Sequence, residues 1–132
     1  MIAAEALSAL AARLTEALHH PVELGEGPMG DGPVLRILVH SMSPVPDVSK
    51  MTGRHAADQS TTLSWVFQLL LRGEAEGLLA ATRVIEAAAI DIDARPVLGG
   101  AGWRADMALM EGADWAEGQG PAVALRMRAS IA

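Results

Sequence analysis

Few residues of this chain have types and spacing that could support chemistry, and the most suggestive are three glycines near the start. Gly25, Gly27 and Gly30 match the spacing that lets a backbone approach the pyrophosphate of a dinucleotide. That motif works where a strand precedes it and a helix follows, because the helix N-terminus supplies N–H groups to the phosphates. Here Gly32-Pro33 and a predicted strand follow, so we expect a turn and no cofactor.

The histidines and carboxylates also lack a pattern typical of metal binding or catalysis. His19 and His20 are adjacent at a predicted helix end, where positive charge is favoured, and no His-x-x-x-His pair occurs. Asp91 and Asp93 would share one side of an extended segment, as paired catalytic carboxylates should, yet acidic residues after a helix are ordinarily solvated. The chain has no cysteine, no tyrosine and no Gly-x-Ser-x-Gly motif. We therefore predict no metal site, no catalytic residue and no enzyme activity.

A long polar segment between two predicted strands is the best candidate for a contact with another molecule. Residues Ser43 to Gln59 show no usable periodicity. Loops beyond about 12 to 15 residues in compact domains are usually functional or disordered. We expect either a partner contact or a solvated connector here. The predicted contact residues are Asp47, Ser49, Lys50, Met51, Thr52, Gly53, Arg54 and His55.

The strand predicted after this segment, Leu63 to Arg72, is apolar on both faces. One register holds Leu63, Trp65, Phe67, Leu69 and Leu71, and the other holds Val66, Gln68 and Leu70. In a small protein such a strand must lie centrally under other elements or be covered by a neighbouring subunit.

Periodicity predicts the remaining elements. Leucine spacing predicts a helix over Ile2–His19, and a second helix is predicted over Glu74–Ile90, with Glu74 and Glu76 in its first turn. Its expected buried stripe is Leu78, Thr82, Ile85 and Ala89, broadened by Leu79 and Ala81. Strands are predicted over Val34–His40, Trp103–Met110 and Ala122–Ile131, and the last two are expected to form a hairpin.

Between these elements, residues 91–98 are expected to form a connection or a short edge strand. The whole pattern predicts one domain, residues 1–132, of the α+β class. We expect two helices packed on one face of a mostly antiparallel four- to five-stranded sheet.

Alternate residues of the predicted strands carry charge on the side away from the core. This side holds Arg36, Arg104, Asp106, Arg126 and Arg128. A mixed-charge face can pair with a neighbouring subunit or can simply be solvated. The candidates for a subunit interface are Val66, Gln68, Leu70, Arg104, Arg126 and Arg128.

Composition restricts the classes of partner. The formal net charge is −6, and Lys50 is the one lysine. We therefore do not expect a protein that binds nucleic acid through phosphate contacts. Glu5, Arg13 and Glu16 interrupt the apolar residues of the first helix, so it is predicted to be neither a signal peptide nor a membrane span. We expect a soluble, intracellular protein.

Taken in order, these features resemble the tail-terminator proteins of long-tailed phages and gene transfer agents. The resemblance is one of layout over nearly the whole chain, together with a short loop pattern. The segments that carry it are the alanine- and leucine-rich first helix, the loop Asp47-Val48-Ser49-Lys50-Met51-Thr52-Gly53, the lead-in Asp58-Gln59-Ser60-Thr61, the helix Ala75–Ile90 and the strand ending Leu125-Arg126-Met127-Arg128-Ala129.

The resemblance implies a structural particle protein that needs no cofactor. Such a protein forms a hexameric ring that caps the tail tube, ends the polymerisation of the tail-tube protein and joins the tube to head-completion (neck) proteins. DNA would pass through the channel without specific binding, which an acidic subunit suits. The ring would assemble in the bacterial cytoplasm and end at the head-proximal end of the tail of a virion or phage-like particle, without membrane contact.

Two alternatives remain open on the sequence alone. The nearer one is another neck or cap ring component of a phage-like injection machine. The more distant one is a small α+β enzyme or ligand-binding domain, with a pocket between helices and sheet around Trp65, Phe67 and Trp103.

Overall fold

Helical spacing and strand alternation produce an α+β fold, as the sequence predicts. The computed structural model describes residues 2–28, 32–46, 63–110 and 120–131, with the side chains of Pro46 and Leu63 excepted. The described residues form two helices and six strands. These are α1 (Ile2–Leu18), β1 (Val22–Leu24), β2 (Val34–Pro46), β3 (Leu63–Glu74), α2 (Leu78–Ala94), β4 (Val97–Gly100), β5 (Trp103–Met110) and β6 (Ala122–Ile131).

The strands form one mixed sheet in the order β1-β2-β3-β6-β5-β4. β1 and β2 are parallel, and the other four neighbouring pairs are antiparallel. The predicted count of four to five strands is wrong, because the described sheet has six. The edge strands β1 and β4 have only three and four residues. Strands this short are hard to detect from alternation, which needs about four to eight residues.

Strands β5 and β6 have the predicted bounds and form the predicted antiparallel pair. β2 is longer than predicted, since it continues past His40 to Pro46. Its register with β3 shifts between Val39 and Ser41, so His40 occupies a bulge. The segment predicted as a connection after α2 is divided, because residues 91–94 belong to the helix and 97–100 form β4.

A single hydrophobic cluster joins both helices to one register of the sheet. The helix α1 contributes residues at three- and four-residue spacing, and the strand residues of the cluster all share the side of the sheet that β3 presents with Phe67, Leu69 and Leu71. From α1 the buried residues are Ala3, Ala6, Leu10, Leu14 and Leu18. Burial of each large side chain favours folding by about 1.5–3 kcal/mol, so this cluster is the main source of stability.

Helix α2 begins later than predicted, and its expected buried stripe is correct at Ala81 and Ile85 but wrong at Leu78, Leu79 and Thr82, which are exposed. Gly77 is its N-cap residue, and Leu78 and Leu79 are 65% and 73% exposed. The buried residues are Ala81, Val84, Ile85, Ala88 and Ile92. A Cβ atom at Gly73 would overlap the carbonyl oxygen of Ala81, so the glycine lets α2 lie against β3. In the part of the chain that the structure describes, neither helix is long and apolar enough to cross a membrane.

Candidate interaction surface

The register of three neighbouring strands gathers all six predicted interface candidates on one side of the sheet. Gln68 of β3 lies opposite Arg126 of β6, and Val66 lies opposite Arg128. Leu70 shares the side of Gln68, since strand residues alternate. Arg104 of β5 lies opposite Ser130, two positions from Arg128. We call the side of β3, β6 and β5 that points away from the hydrophobic cluster the outer face.

The outer face is exposed and rich in arginine. Gln68, Arg126 and Arg128 are exposed. The Arg104 side chain is 60% exposed and donates a hydrogen bond of 3.1 Å from Nη2 to Oδ1 of Asp106, which is 64% exposed. An exposed pair of this kind contributes little to stability. Asp106 lies opposite Arg128 across the strands, but within the described residues neither Arg126 nor Arg128 forms a hydrogen bond or ion pair with a carboxylate.

Apolar side chains lie among these charges. Val66 and Leu70 are half-buried, and Met110 at the end of β5 is 49% exposed. The register places Leu70 and Met110 on either side of Ala124. The combination of apolar area with exposed arginines is the kind of surface that a protein partner covers, because arginine and methionine are enriched in interfaces.

The predicted contact loop cannot be placed on this surface. All eight of its residues, Asp47, Ser49, Lys50, Met51, Thr52, Gly53, Arg54 and His55, lie outside the described residues. Its role stays a prediction.

A second arginine cluster occupies the β1 end of the same side of the sheet, and sequence reasoning missed it. Arg36, predicted to belong to an outward charged surface, is 1% exposed. It lies directly opposite Arg72 on β3 and beside Glu23 on β1. Two like charges in this position are unfavourable unless carboxylates separate them, and Glu74 provides that separation.

Glu74 bridges the two guanidinium groups. Arg36 donates from Nε to Oε2 of Glu74 at 2.7 Å, and Arg72 donates from Nη2 to Oε1 at 2.8 Å. The Glu74 side chain is only 13% exposed. Glu74 was predicted to begin α2, and this prediction is wrong because its carboxylate pairs with arginines on two strands, which holds it in β3.

The segment from Glu23 to Pro28 closes over Arg36. Nη1 of Arg36 donates to Oε2 of Glu23 at 2.8 Å and to the carbonyl oxygen of Gly25 at 3.2 Å, while Nη2 donates to the carbonyl oxygen of Pro28 at 2.8 Å. A Cβ atom at Gly27 would lie 3.1 Å from Nη1 of Arg36. The glycine-rich segment therefore offers acceptors to a buried cation.

Glu26 completes the cluster from the solvent side. Its two carboxylate oxygens accept hydrogen bonds from Nη1 and Nη2 of Arg72 at 3.2 and 2.7 Å. This hydrogen bonding lowers the pKa of Glu26 below its ordinary value. Hydrogen bonds to Glu74 and Glu26 raise the pKa of Arg36 and Arg72 respectively, and burial opposes both effects. Both arginines thus stay charged inside the protein.

A smaller cluster joins the two helices to the far edge of the sheet. Arg13 of α1 donates from Nε to Oδ2 of Asp91 at 3.1 Å and from Nη1 to the carbonyl oxygen of Val97 at 3.1 Å. Arg95 also pairs with Asp91. Asp91 is a helix residue with arginine partners, whereas Asp93 is exposed, so the structure does not bring the two carboxylates together as an acid–base pair.

Two of the three aromatic residues that the ligand-binding alternative places around a pocket are buried. Phe67 and Trp103, which the ligand-binding alternative places at a pocket, are both buried in the hydrophobic cluster. An open cleft of about 260 Å³ lies elsewhere, between His20, Pro33 and α2, where Arg83 lines it. Within residues 2–28, 32–46, 63–110 and 120–131, no three His, Asp or Glu side chains are placed to hold a metal ion.

The chain matches no protein-family model, and no curated protein matches it significantly.

Proposed function

We propose that this chain is a structural subunit of a phage-like particle, which forms a hexameric ring on the head-proximal end of a tail tube. The ring ends polymerisation of the tail-tube protein and binds head-completion proteins on its other side. The observation that carries the proposal is the exposed outer face, where exposed arginines and apolar side chains lie together on three strands. The resemblance of the sequence layout to tail-terminator proteins supports the same function.

In this proposal, each subunit covers part of its outer face with the next subunit. A contact between two different surfaces of identical subunits repeats around an axis and can close into a ring. The three arginines of the outer face are opposite in sign to the net charge of −6, so a second copy of the chain is a complementary partner. The net negative charge also favours passage of DNA through the channel without adhesion.

The test is the mass of the purified protein by light scattering, at several concentrations, with and without a tail-tube protein. We expect either a six-fold ring or a monomer that becomes a ring when the tube is present. A stable monomer or dimer that ignores the tube would contradict the proposal, and it would favour the small enzyme or ligand-binding domain. Binding to a neck protein in place of the tube would favour another neck or cap ring component.

The predicted contact loop provides a second test. Alanine or glycine replacements across Ser49 to His55 should leave the circular dichroism spectrum unchanged and abolish attachment of tails in a particle assembly assay. If this variant gives normal particles, the loop does not contact the tube. That result would leave the proposal for the outer face unchanged.

A further inference from the structure

We infer that the partner of the outer face is the exposed side of helix α2 on a second copy of this chain. The inference rests on the proposed function and identifies the other half of the subunit contact. The exposed side of α2 has the two properties that the outer face requires of a partner, which are uncovered apolar side chains and an excess of negative charge.

The apolar part is large for a helix of a small protein. Leu78, Leu79 and Ile90 are 65%, 73% and 62% exposed. Leu79 and Ile90 are eleven positions apart, which is about three helical turns, so they lie on one stripe of the helix. Glu86 lies between them on the same stripe, four residues before Ile90. An amphipathic helix normally turns such leucines toward its own core.

The formal charges of the two surfaces are opposite in sign. On the outer face, three arginines and Asp106 leave a formal charge of +2. Around α2, the exposed carboxylates of Glu76, Glu86 and Asp93 and the exposed guanidinium of Arg83 leave −2. Arg95 shares the single carboxylate of Asp91 with Arg13, which adds +1 and leaves a net −1 on this side. Complementary potentials of this kind select the partner and fix the register of a contact.

Helix α1 is a poorer partner for the outer face. Its exposed side carries Glu5 and Glu16, but the apolar residues exposed there are alanines, Ala4, Ala12 and Ala17. Small side chains bury little apolar area on association. The large exposed side chains on α2 therefore distinguish the two helices.

The placement of the two surfaces also fits a head-to-tail contact. The buried side of α2 packs in the hydrophobic cluster with the inner register of the sheet, while the outer face belongs to the opposite register. A subunit therefore carries the two surfaces on different sides and can contact one neighbour with each. Contacts of this kind repeat from copy to copy and can form a ring.

Charge reversal on each surface gives a direct test. The first variant carries Arg126→Glu and Arg128→Glu, which makes both of its surfaces negative. The second variant carries Glu86→Arg and Asp93→Arg, which makes both surfaces positive. Each variant alone should associate at least about tenfold more weakly than the wild-type chain, because like charges then face each other. An equimolar mixture should regain association, with the two variants alternating.

The measurement is sedimentation equilibrium or light scattering of the tag-free chain from micromolar to about millimolar concentration. Circular dichroism and urea unfolding establish that each variant is folded. Glu16→Arg on α1 is the control for a change of charge outside the contact, and it should associate as the wild-type chain does. Association of the wild-type chain should also weaken as salt is raised from about 0.05 to 0.5 M.

The outcomes separate this inference from the proposed function. If the arginine reversal abolishes association and the α2 reversal does not, another surface is the partner, and the ring proposal stands. If the equimolar mixture of the two charge-reversal variants fails to associate, the inference is also overturned and the ring proposal again stands. A wild-type chain that stays monomeric to millimolar concentration also overturns the contact, whereas the ring proposal falls only if the tube protein does not induce assembly.

Discussion

The two ends of one sheet surface use the same residue type in opposite ways. At the β1 end, Arg36 and Arg72 are buried, and both are hydrogen-bonded to Glu74. At the β5 end, Arg126 and Arg128 are exposed and form no hydrogen bond or ion pair with a carboxylate in the described residues. A buried guanidinium without partners would be very costly, while an exposed one costs almost nothing. The first end can therefore hold the fold together, and the second remains available for a contact.

The difference arises from what lies across the strands. Arg36 has a glutamate beside it on β1 and a glutamate near its partner on β3, and the Gly25–Pro28 segment covers it with carbonyl oxygens. Arg126 has Gln68 and Ala108 as its neighbours across the strands, and neither can neutralise its charge. Arg128 has Val66 and Asp106 as its neighbours, and the Asp106 carboxylate accepts a hydrogen bond from Arg104. The residues on the neighbouring strands therefore determine whether an arginine on this side of the sheet is buried in ion pairs or exposed and available for a contact.

The largest expected effect comes from removing a buried arginine. Arg36→Met should lower the free energy of unfolding by about 3–5 kcal/mol, because the mostly buried carboxylate of Glu74 loses a partner. Arg126→Met, the same substitution on the exposed end, should change it by no more than about 0.5 kcal/mol. Urea unfolding followed by tryptophan fluorescence measures both. Equal losses in the two variants would mean that the two ends do not differ in the way described.

Substitution of carboxylates should also cost more unfolding free energy at the buried end than at the exposed end, but the difference should be smaller than for the arginines. Glu74→Gln keeps the shape of the side chain but removes the charge that bridges two arginines, so we expect a loss of about 1–3 kcal/mol. Asp106→Asn removes the exposed partner of Arg104 and should cost about 0–1 kcal/mol. The comparison uses the same unfolding measurement at pH 7. A loss for Asp106→Asn as large as that for Glu74→Gln would remove the distinction.

The smallest effect is a change in acid sensitivity through Glu26. Its pKa is lower in the folded chain than its ordinary value of 4.5, so its pairing stabilises the fold above about pH 4.5, and this stabilisation is lost as the pH falls through the lowered pKa. The Glu26→Gln variant should be less stable than the wild-type chain at pH 7. The two should converge in acid.

Unfolding midpoints in urea between pH 7 and about pH 3 test this convergence. Glu16→Gln on α1 is the control, because Glu16 is exposed and has no arginine partner in the described residues. A constant difference between Glu26→Gln and the wild-type chain across this range would contradict a role for Glu26 ionisation.

Alternation and helical spacing predicted the elements that follow one regular pattern of buried and exposed residues along their length. Strict alternation gave the bounds of β5 and β6, and leucine spacing gave α1 to within one residue. The predicted start of α2 was wrong because Glu74 is a good first-turn residue by itself, whereas in the structure it pairs with Arg72 and with Arg36, which is 38 positions away. Helix propensity depends on the local sequence, so it cannot reveal a contact with a residue this distant along the chain.

The outer face was predictable, but the buried cluster was not. Alternation places Arg126 and Arg128 on the outward side of their strand and Gln68 on one side of its own strand, and the pairing of β3 with β6 in the structure brings them together. The burial of Arg36 depends on Glu23 in a three-residue parallel strand that periodicity cannot detect. One signal was available, since Arg36 is the only charged residue between Val34 and Val39. A lone charge in an apolar run indicates a buried pair as readily as a surface charge.

The position of β6 between β3 and β5 has a consequence for biosynthesis. Until β6 has been made, β1-β2-β3 and β4-β5 are two separate pieces of sheet, and β3 and β5 each present an unpaired edge. Both edges carry apolar residues on the side that will become the core. Pairings between distant segments form slowly, and exposed strand edges attract other chains. We therefore expect the incomplete chain, before its ten-residue strand β6 has been made, to aggregate more readily than the folded protein.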